Sequence, residues 1–129
     1  MTRCLLDTTA LIDFSKGREP ATSIILAMLE AGDELGICAV NVAEFYAGLP
    51  PEHHVLWDKF LGSLHYWDIT REATASAGSD RYRFARQGQQ LATTDVLIAT
   101  VARQHKAVIV TDNLKDYPMT DIQLRSLKK

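Results

Sequence analysis

Short apolar runs alternate with longer segments of helical periodicity along this chain. Each run has the length and composition of a buried strand, and each intervening segment is long enough for a helix. Parallel strands need such a crossover segment, because a tight turn cannot join them. The alternation therefore predicts an α/β fold with three layers (α/β/α) and a mainly parallel central sheet. The predicted strands are 3–6, 35–40, 65–69, 107–110 and 122–124.

Length and composition indicate a single domain, residues 1–129. The chain is 47% hydrophobic and 23% charged, which is ordinary for a globular protein, and its length is too short for two domains. No apolar run approaches the roughly 18 residues of a membrane span, and the N-terminus lacks the apolar stretch of a signal peptide. We expect a cytoplasmic protein without a membrane partner, in which Cys4 and Cys38 are reduced core residues.

Five acidic residues stand where a parallel sheet would bring them to one edge. Asp7 ends the first run, Glu44 lies one helical turn after the second, Asp95 opens an apolar helix, and Asp112 and Asp116 follow the fourth run. Ligands of open α/β sheets bind outside the carboxyl ends of the strands, so these carboxylates are expected to converge. Two unit charges ~5 Å apart repel by roughly 3 kcal/mol at an effective dielectric of ~20. Such a cluster needs protons or cations, and oxygen ligands favour Mg²⁺ or Mn²⁺ over zinc.

Most of these acids also have an ordinary structural interpretation. Asp95 follows Thr93 and Thr94, which could cap a helix whose macrodipole favours an acid at its start. Thr8 and Thr9, after Asp7, could likewise cap the first helix. Asn41 fits the N-cap of the next helix, and Glu44 could complete a capping box with it. Asp112 and Asp116 could form turns. Asp7 is harder to explain in this way, because a carboxylate at the end of an apolar strand needs a partner.

The strings that contain these acids resemble one family. Residues 5–9 (LLDTT), 41–44 (NVAE), 93–99 (TTDVLIA) and 110–117 (VTDNLKDY) are similar to motifs of the PIN-domain ribonucleases. Their order and the chain length are most similar to the VapC-type toxins of type II toxin–antitoxin pairs. The resemblance implies a PIN-like fold and Mg²⁺-dependent endoribonuclease activity, with Mn²⁺ as a substitute.

The resemblance also implies roles for individual residues. Asp7, Glu44, Asp95 and Asp116 would be catalytic, and Asp112 is an additional carboxylate that could take the place of Asp116. The implied metal ligands are Asp7, Asp95, Asp112 and Asp116, and the short polar groups around them are Thr9, Thr94, Thr111 and Asn113.

The partners implied by the resemblance are an RNA substrate, a cognate VapB-type antitoxin and a second copy of the chain in a homodimer. Arg86 and Gln90 precede Asp95 closely enough to contact RNA phosphates, although such residues usually belong to a solvated helix face. The formal net charge of −2 neither excludes nor supports an RNA substrate.

Two alternatives from other functional classes remain open. One is a receiver-like signalling domain with a phospho-acceptor aspartate, which has a similar length and α/β pattern. It would need an acid pair after the first strand, where this sequence supplies only Asp7. The other is a non-catalytic binding module with the same fold.

Overall fold

The computed structural model describes residues 1–128 and shows strands alternating with helices. The strands within this range are β1 (Arg3–Leu6), β2 (Glu34–Ile37), β3 (His65–Tyr66), β4 (Val108–Thr111) and β5 (Gln123–Ser126). The α-helices are α1 (Thr8–Ser15), α2 (Ala21–Glu30), α3 (Ala39–Ala47), α4 (His54–Gly62), α5 (Arg71–Arg86) and α6 (Thr93–His105). Short 3₁₀ helices cover Pro51–His53 and Leu114–Asp116.

The strands form one parallel sheet in the order β3-β2-β1-β4-β5. The chain builds outward from the central β1 on one side through β2 and β3, and on the other side through β4 and β5. The predicted α/β class is confirmed, and every strand pairing is parallel. The order differs from the 2-1-3-4-5 order of flavodoxin-like signalling domains, which argues against a receiver domain.

The sheet separates two apolar cores, as the predicted three layers require. Leu5 and Ile109 point to the face covered by α5 and α6. Their neighbours in the sequence, Leu6 and Val110, point to the opposite face, which is covered by α1 to α4. Successive side chains of a strand alternate between faces, so a strand buried on both sides reads as an unbroken apolar run.

Two of the predicted strands are shorter in the structure. The predicted strand 35–40 ends at Ile37, because Cys38 is already the N-cap of α3. The predicted strand 65–69 is paired only over His65–Tyr66. The first strand has its predicted bounds, and the bounds of the last two move by one or two residues, as is usual for strand ends. Both cysteines are free and buried, as expected.

Three predicted helix caps were wrong, and each error involves a site residue. The N-cap of α1 is Asp7 itself, and Thr8 and Thr9 lie in the first turn. Asn41 is the third residue of α3 and its side chain accepts from the backbone N–H of Cys38. Glu44 therefore takes no part in a capping box. Ala92 precedes α6, so Thr93 and Thr94 are helical.

Within residues 1–128, no helix combines the length and the apolar character needed to cross a bilayer.

Gly36 gives a direct test of the packing on the α5–α6 face. A Cβ at Gly36 would lie 2.3 Å from the Trp67 ring, which is itself stacked on His105 at 4.7 Å. We expect Gly36→Ala to lower the free energy of unfolding by about 1–3 kcal/mol, because the ring has to move. Gly78→Ala in α5 meets nothing within 4 Å and should raise it by about 0.5–1 kcal/mol. Urea denaturation of both variants measures the difference, and equal midpoints would contradict this packing.

Candidate active site

A cavity of about 640 Å³ lies beyond the carboxyl ends of the neighbouring strands β1 and β4. The chain continues from β1 toward β2 on one side and from β4 toward β5 on the other. All five acids singled out in the sequence line it. They come from the β1–α1 junction, α3, the first turn of α6 and the segment after β4. The acids are Asp7, Glu44, Asp95, Asp112 and Asp116. The convergence expected from the strand-end rule is therefore present.

Asp7 is the most tightly held of the five carboxylates. It is 6% exposed, and its backbone N–H donates to the carbonyl of Val110 at 3.1 Å, which extends the β1–β4 pairing by one residue. Its Oδ1 accepts from the N–H of Ala10 at 3.1 Å and from the hydroxyl of Thr9 at 2.8 Å. Burial raises the pKa of Asp7 above its ordinary value, and hydrogen bonds from Thr111, Ala10 and Thr9 oppose the shift.

Thr9 lies between two carboxylates. Its hydroxyl oxygen is 2.8 Å from Asp7 Oδ1 and 2.9 Å from Asp112 Oδ1. A hydroxyl carries one proton and can donate to only one of them. The second contact then places an acceptor against an acceptor unless a carboxyl group is protonated or a cation compensates the charge.

Glu44 reaches the cavity from the exposed side of α3. Its Oε1 accepts from the hydroxyl of Thr8 at 2.6 Å. One turn earlier, the fully buried Asn41 donates to the carbonyl of Leu6 at 2.5 Å and accepts from the N–H of Cys38 at 2.8 Å. Asn41 thus joins the start of α3 to the end of β1, and this junction sets the distance between Glu44 and Asp7.

Asp95 is half-buried in the first turn of α6. Burial, followed by the charges of Asp116, Asp7 and Glu44, raises the pKa of Asp95 to about 6. The helix-start interpretation and the site interpretation hold together here, since the N-terminus of α6 points a carboxylate into the cavity. Thr94 beside it is not among the described residues that line this cavity.

The segment after β4 contributes both remaining acids. Asn113 donates through Nδ2 to Asp116 Oδ1 at 3.1 Å, and its backbone N–H donates to the buried Thr111 hydroxyl at 3.0 Å. Asp112 contacts Thr9 as described above. Because both acids line the cavity, the choice of Asp112 or Asp116 as the fourth acid stays open.

The five carboxylates of the cavity have no ion-pair partner in the part of the chain that the structure describes. Lys115 and Lys128 line the cavity without such a pair. Tyr117 closes one wall, and its burial together with nearby acids raises its pKa, which keeps the phenol neutral.

The donor set suits a hydrated divalent cation. Carboxylates and hydroxyls are the oxygen ligands that Mg²⁺ and Mn²⁺ prefer, and an uncompensated acidic cavity gains from a bound cation. Within residues 1–128, no three carboxylate, imidazole or thiol groups already stand together as ligands of one ion. Mg²⁺ typically keeps several waters and needs only one or two carboxylates, so this spacing is compatible with it. The metal ligands named from the sequence stay predictions.

The two residues expected to contact RNA lie outside the acidic cavity. Arg86 has its guanidinium over the Tyr82 ring, 4.6 Å from the centroid. Gln90 lines a separate groove of about 600 Å³ between α5 and α6. Thr93 lines the same groove, and Asp95, two residues later, lines the acidic cavity. The RNA contacts of Arg86 and Gln90 stay predictions.

Sequence reasoning missed several residues of the cavity wall. Lys115 and Tyr117 stand inside the quoted string 110–117, so their neighbours could have indicated them. Lys128 carried no such signal. Leu127 donates its N–H to the carbonyl of Thr111 at 2.8 Å, and this pairing beside β4 brings the following lysine to the cavity.

The raised pKa of Asp95 makes a prediction for the metal-free protein. An acid whose pKa is higher in the folded state lowers stability above that pKa, and the penalty disappears as the pH falls toward the ordinary value of 3.8. We expect Asp95→Asn to be more stable than the parent above pH 6 by on the order of 1 kcal/mol, because solvent screens part of the repulsion at this half-buried position. The difference should vanish near pH 4. Urea midpoints measured in a chelator test this, and a gap that is the same at both pH values would contradict it.

A known protein family matches the part of the chain that contains the cavity acids. The family model described as PIN domain matches residues 4–116. The chain is 29% identical over 119 residues to Ribonuclease VapC19 of Mycobacterium tuberculosis (strain ATCC 25618 / H37Rv), covering 89% of this chain and 92% of that protein. It is 25% identical over 122 residues to Ribonuclease VapC2 of Haemophilus influenzae, covering 91% of each.

A solved structure supports the fold independently. The chain superposes with a TM-score of 0.84 on a chain of VapBC2 from Rickettsia felis bound to a DNA fragment from their promoter. The match covers 98% of this chain and 100% of that chain at 20% identity. The family model spans most of the chain and includes all five cavity acids, and the chain belongs to the PIN domain family.

Proposed function

We propose that this protein is a metal-dependent endoribonuclease and acts in the cytoplasm as the toxin of a VapBC-type toxin–antitoxin pair. The observation that carries the proposal is the cavity itself, in which five carboxylates from four segments of the chain meet without an ion-pair partner among residues 1–128. The likeness to proteins named ribonucleases, over about nine-tenths of both chains, supports RNA as the substrate.

The carboxylates would have two roles in phosphodiester hydrolysis, metal binding and proton transfer. Asp7 and Asp95, with Asp112 or Asp116, would hold Mg²⁺ or Mn²⁺. When bound, such an ion neutralises charge on phosphate oxygens and lowers the pKa of water. Glu44 orients the attacking water and accepts its proton. The water oxygen bonds to phosphorus, the bond from phosphorus to the 3′-oxygen breaks, and the 3′-oxygen takes a proton from solvent. The products are a 5′-phosphate and a 3′-hydroxyl.

Two lysines can hold the RNA backbone beside the reacting phosphate. Lys115 and Lys128 are exposed at the cavity wall and form no ion pair among the described residues. A phosphate entering an acidic cavity is repelled by its carboxylates, and a lysine at the rim offsets part of that repulsion. Arg86 and Gln90 lie beside the groove between α5 and α6, which meets the acidic cavity at the start of α6. They would extend the contact along the RNA backbone.

The partners proposed for the chain are a VapB-type antitoxin and a second copy of itself. The matched Rickettsia structure is named as a VapBC assembly, and the match covers nearly all of both chains. Val55 and Leu56 on α4 are 83% and 68% exposed, and adjacent exposed apolar side chains favour a protein-binding surface.

The first test is the loss of one carboxylate without loss of the fold. Asp7→Asn keeps an oxygen that can accept from Ala10 and cap α1, but it removes the charge. We expect the rate of RNA cleavage with Mg²⁺ to fall at least about 100-fold, because charge stabilisation at the phosphate is lost. Asp68→Asn, an exposed acid after β3, is the matched control and should cleave at the parent rate. An Asp7→Asn protein that cleaves RNA normally would refute the proposed function.

The lysine contacts are tested separately through substrate binding. Lys128→Gln should raise KM for single-stranded RNA by about 3–10-fold with little change in kcat, since a uniform binding contact is removed. Lys59→Gln on α4 removes an exposed lysine away from the cavity and should leave KM unchanged. Equal KM values for the two variants would exclude Lys128 as an RNA contact.

A further inference from the structure

Two adjacent threonines in the first turn of α1 contact three of the five carboxylates. The Thr8 hydroxyl donates to Glu44 Oε1 at 2.6 Å. The Thr9 hydroxyl lies 2.8 Å from Asp7 Oδ1 and 2.9 Å from Asp112 Oδ1. The three acids belong to three different segments, so one helical turn gathers groups that the chain delivers separately.

Of the five acids, Glu44 has the longest side chain and the greatest exposure. It is exposed on α3, and a free glutamate side chain samples several rotamers. Among the described residues, its one side-chain hydrogen bond comes from Thr8. Thr8 itself is stiff, because it is β-branched and directly follows the buried cap Asp7. A rigid donor therefore holds a mobile acceptor.

The same hydrogen bond contributes little to stability. Helices α1 and α3 already share an apolar core through Leu11 and Phe45, which are both buried. Thr8 is only partly buried and Glu44 is exposed, so water can replace their hydrogen bond when it is lost. Holding the orientation of Glu44 is the role that the geometry leaves for Thr8.

We propose that Thr8 is a positioning residue for Glu44, keeping Oε1 engaged so that Oε2 faces the attacking water. This inference rests on the proposed ribonuclease function. Thr8 acts through Glu44 and does not itself touch the phosphate.

The test compares two replacements of Thr8 in the full chain. Thr8→Val keeps the shape and removes the O–H, whereas Thr8→Ser keeps the O–H. We expect Thr8→Val to lower kcat for Mg²⁺-dependent cleavage of single-stranded RNA by about 10-fold or more with KM nearly unchanged, since only the orientation of the base is lost. Thr8→Ser should retain most of the activity. Thr22→Val on α2, which removes a hydroxyl bonded to the Arg18 carbonyl, should have no effect on kcat.

A second background separates action through Glu44 from a general disturbance. In Glu44→Gln, adding Thr8→Val should cause no further loss of kcat, because residues that act as a unit are not additive. A full further loss, or a Thr8→Val variant with parent kcat, would overturn the proposal. The proposal would also be overturned if the loss of activity in Thr8→Val were explained by a lower urea midpoint, that is, by a loss of folded protein.

A measurement without RNA distinguishes a failure of the positioning role from a failure of the proposed function. The ¹³C shift of the Glu44 carboxyl carbon, followed at fixed pH, reports whether the side chain is held. We expect Thr8→Val to move it toward the value of a free glutamate, and Thr8→Ser to leave it near the parent value. If the parent cleaved no RNA, the ribonuclease proposal would fail, and the shift would still decide whether Thr8 holds Glu44. An unchanged shift in Thr8→Val would refute the positioning role.

Discussion

The mutual repulsion of carboxylates at the end of β1 and β4 is the constraint on which the whole site depends. The repulsion is clearest at Thr9, whose hydroxyl contacts both Asp7 and Asp112 but has only one proton to donate. Burial of Asp7 and the raised pKa of Asp95 show the same cost from two other positions. The folded protein would be more stable if apolar side chains replaced these carboxylates. Under the proposed function, the energy lost in the metal-free protein is recovered when the cavity binds a divalent cation.

The fold delivers this cluster by topology and then fixes it with a few polar contacts. Placing β1 between β2 and β4 separates the two connections at one edge and opens a crevice there. Asn41 near the start of α3 donates to the carbonyl of Leu6, the residue before Asp7. Glu44 accepts from the hydroxyl of Thr8, the residue after Asp7. Groups distant in sequence are thus held by hydrogen bonds to a single short stretch of chain, the end of β1 and the start of α1.

The sequence was sufficient for the fold class and for the meeting of the acids, because both follow from periodicity and from the strand-end rule. It was insufficient for contacts that depend on the exact residue at which a helix starts. Asn41 looks like an N-cap in the sequence, yet α3 begins two residues earlier, and this turns its amide toward Leu6. Thr8 lies in the first turn of α1 and not at its cap, and its hydroxyl donates to Glu44. Lys128 reaches the cavity only through pairing beside β4, which no local pattern records.

The most direct measurement of the central claim is the melting temperature of the metal-free protein as Mn²⁺ or Mg²⁺ is added at neutral pH. A ligand at about 100 times its dissociation constant stabilises the folded state by roughly 2.7 kcal/mol. The account predicts a rise with either ion, its removal by a chelator, and a much smaller rise in a chain whose Asp7 has lost its charge. An unchanged melting temperature at millimolar metal would contradict a cation site in this cavity.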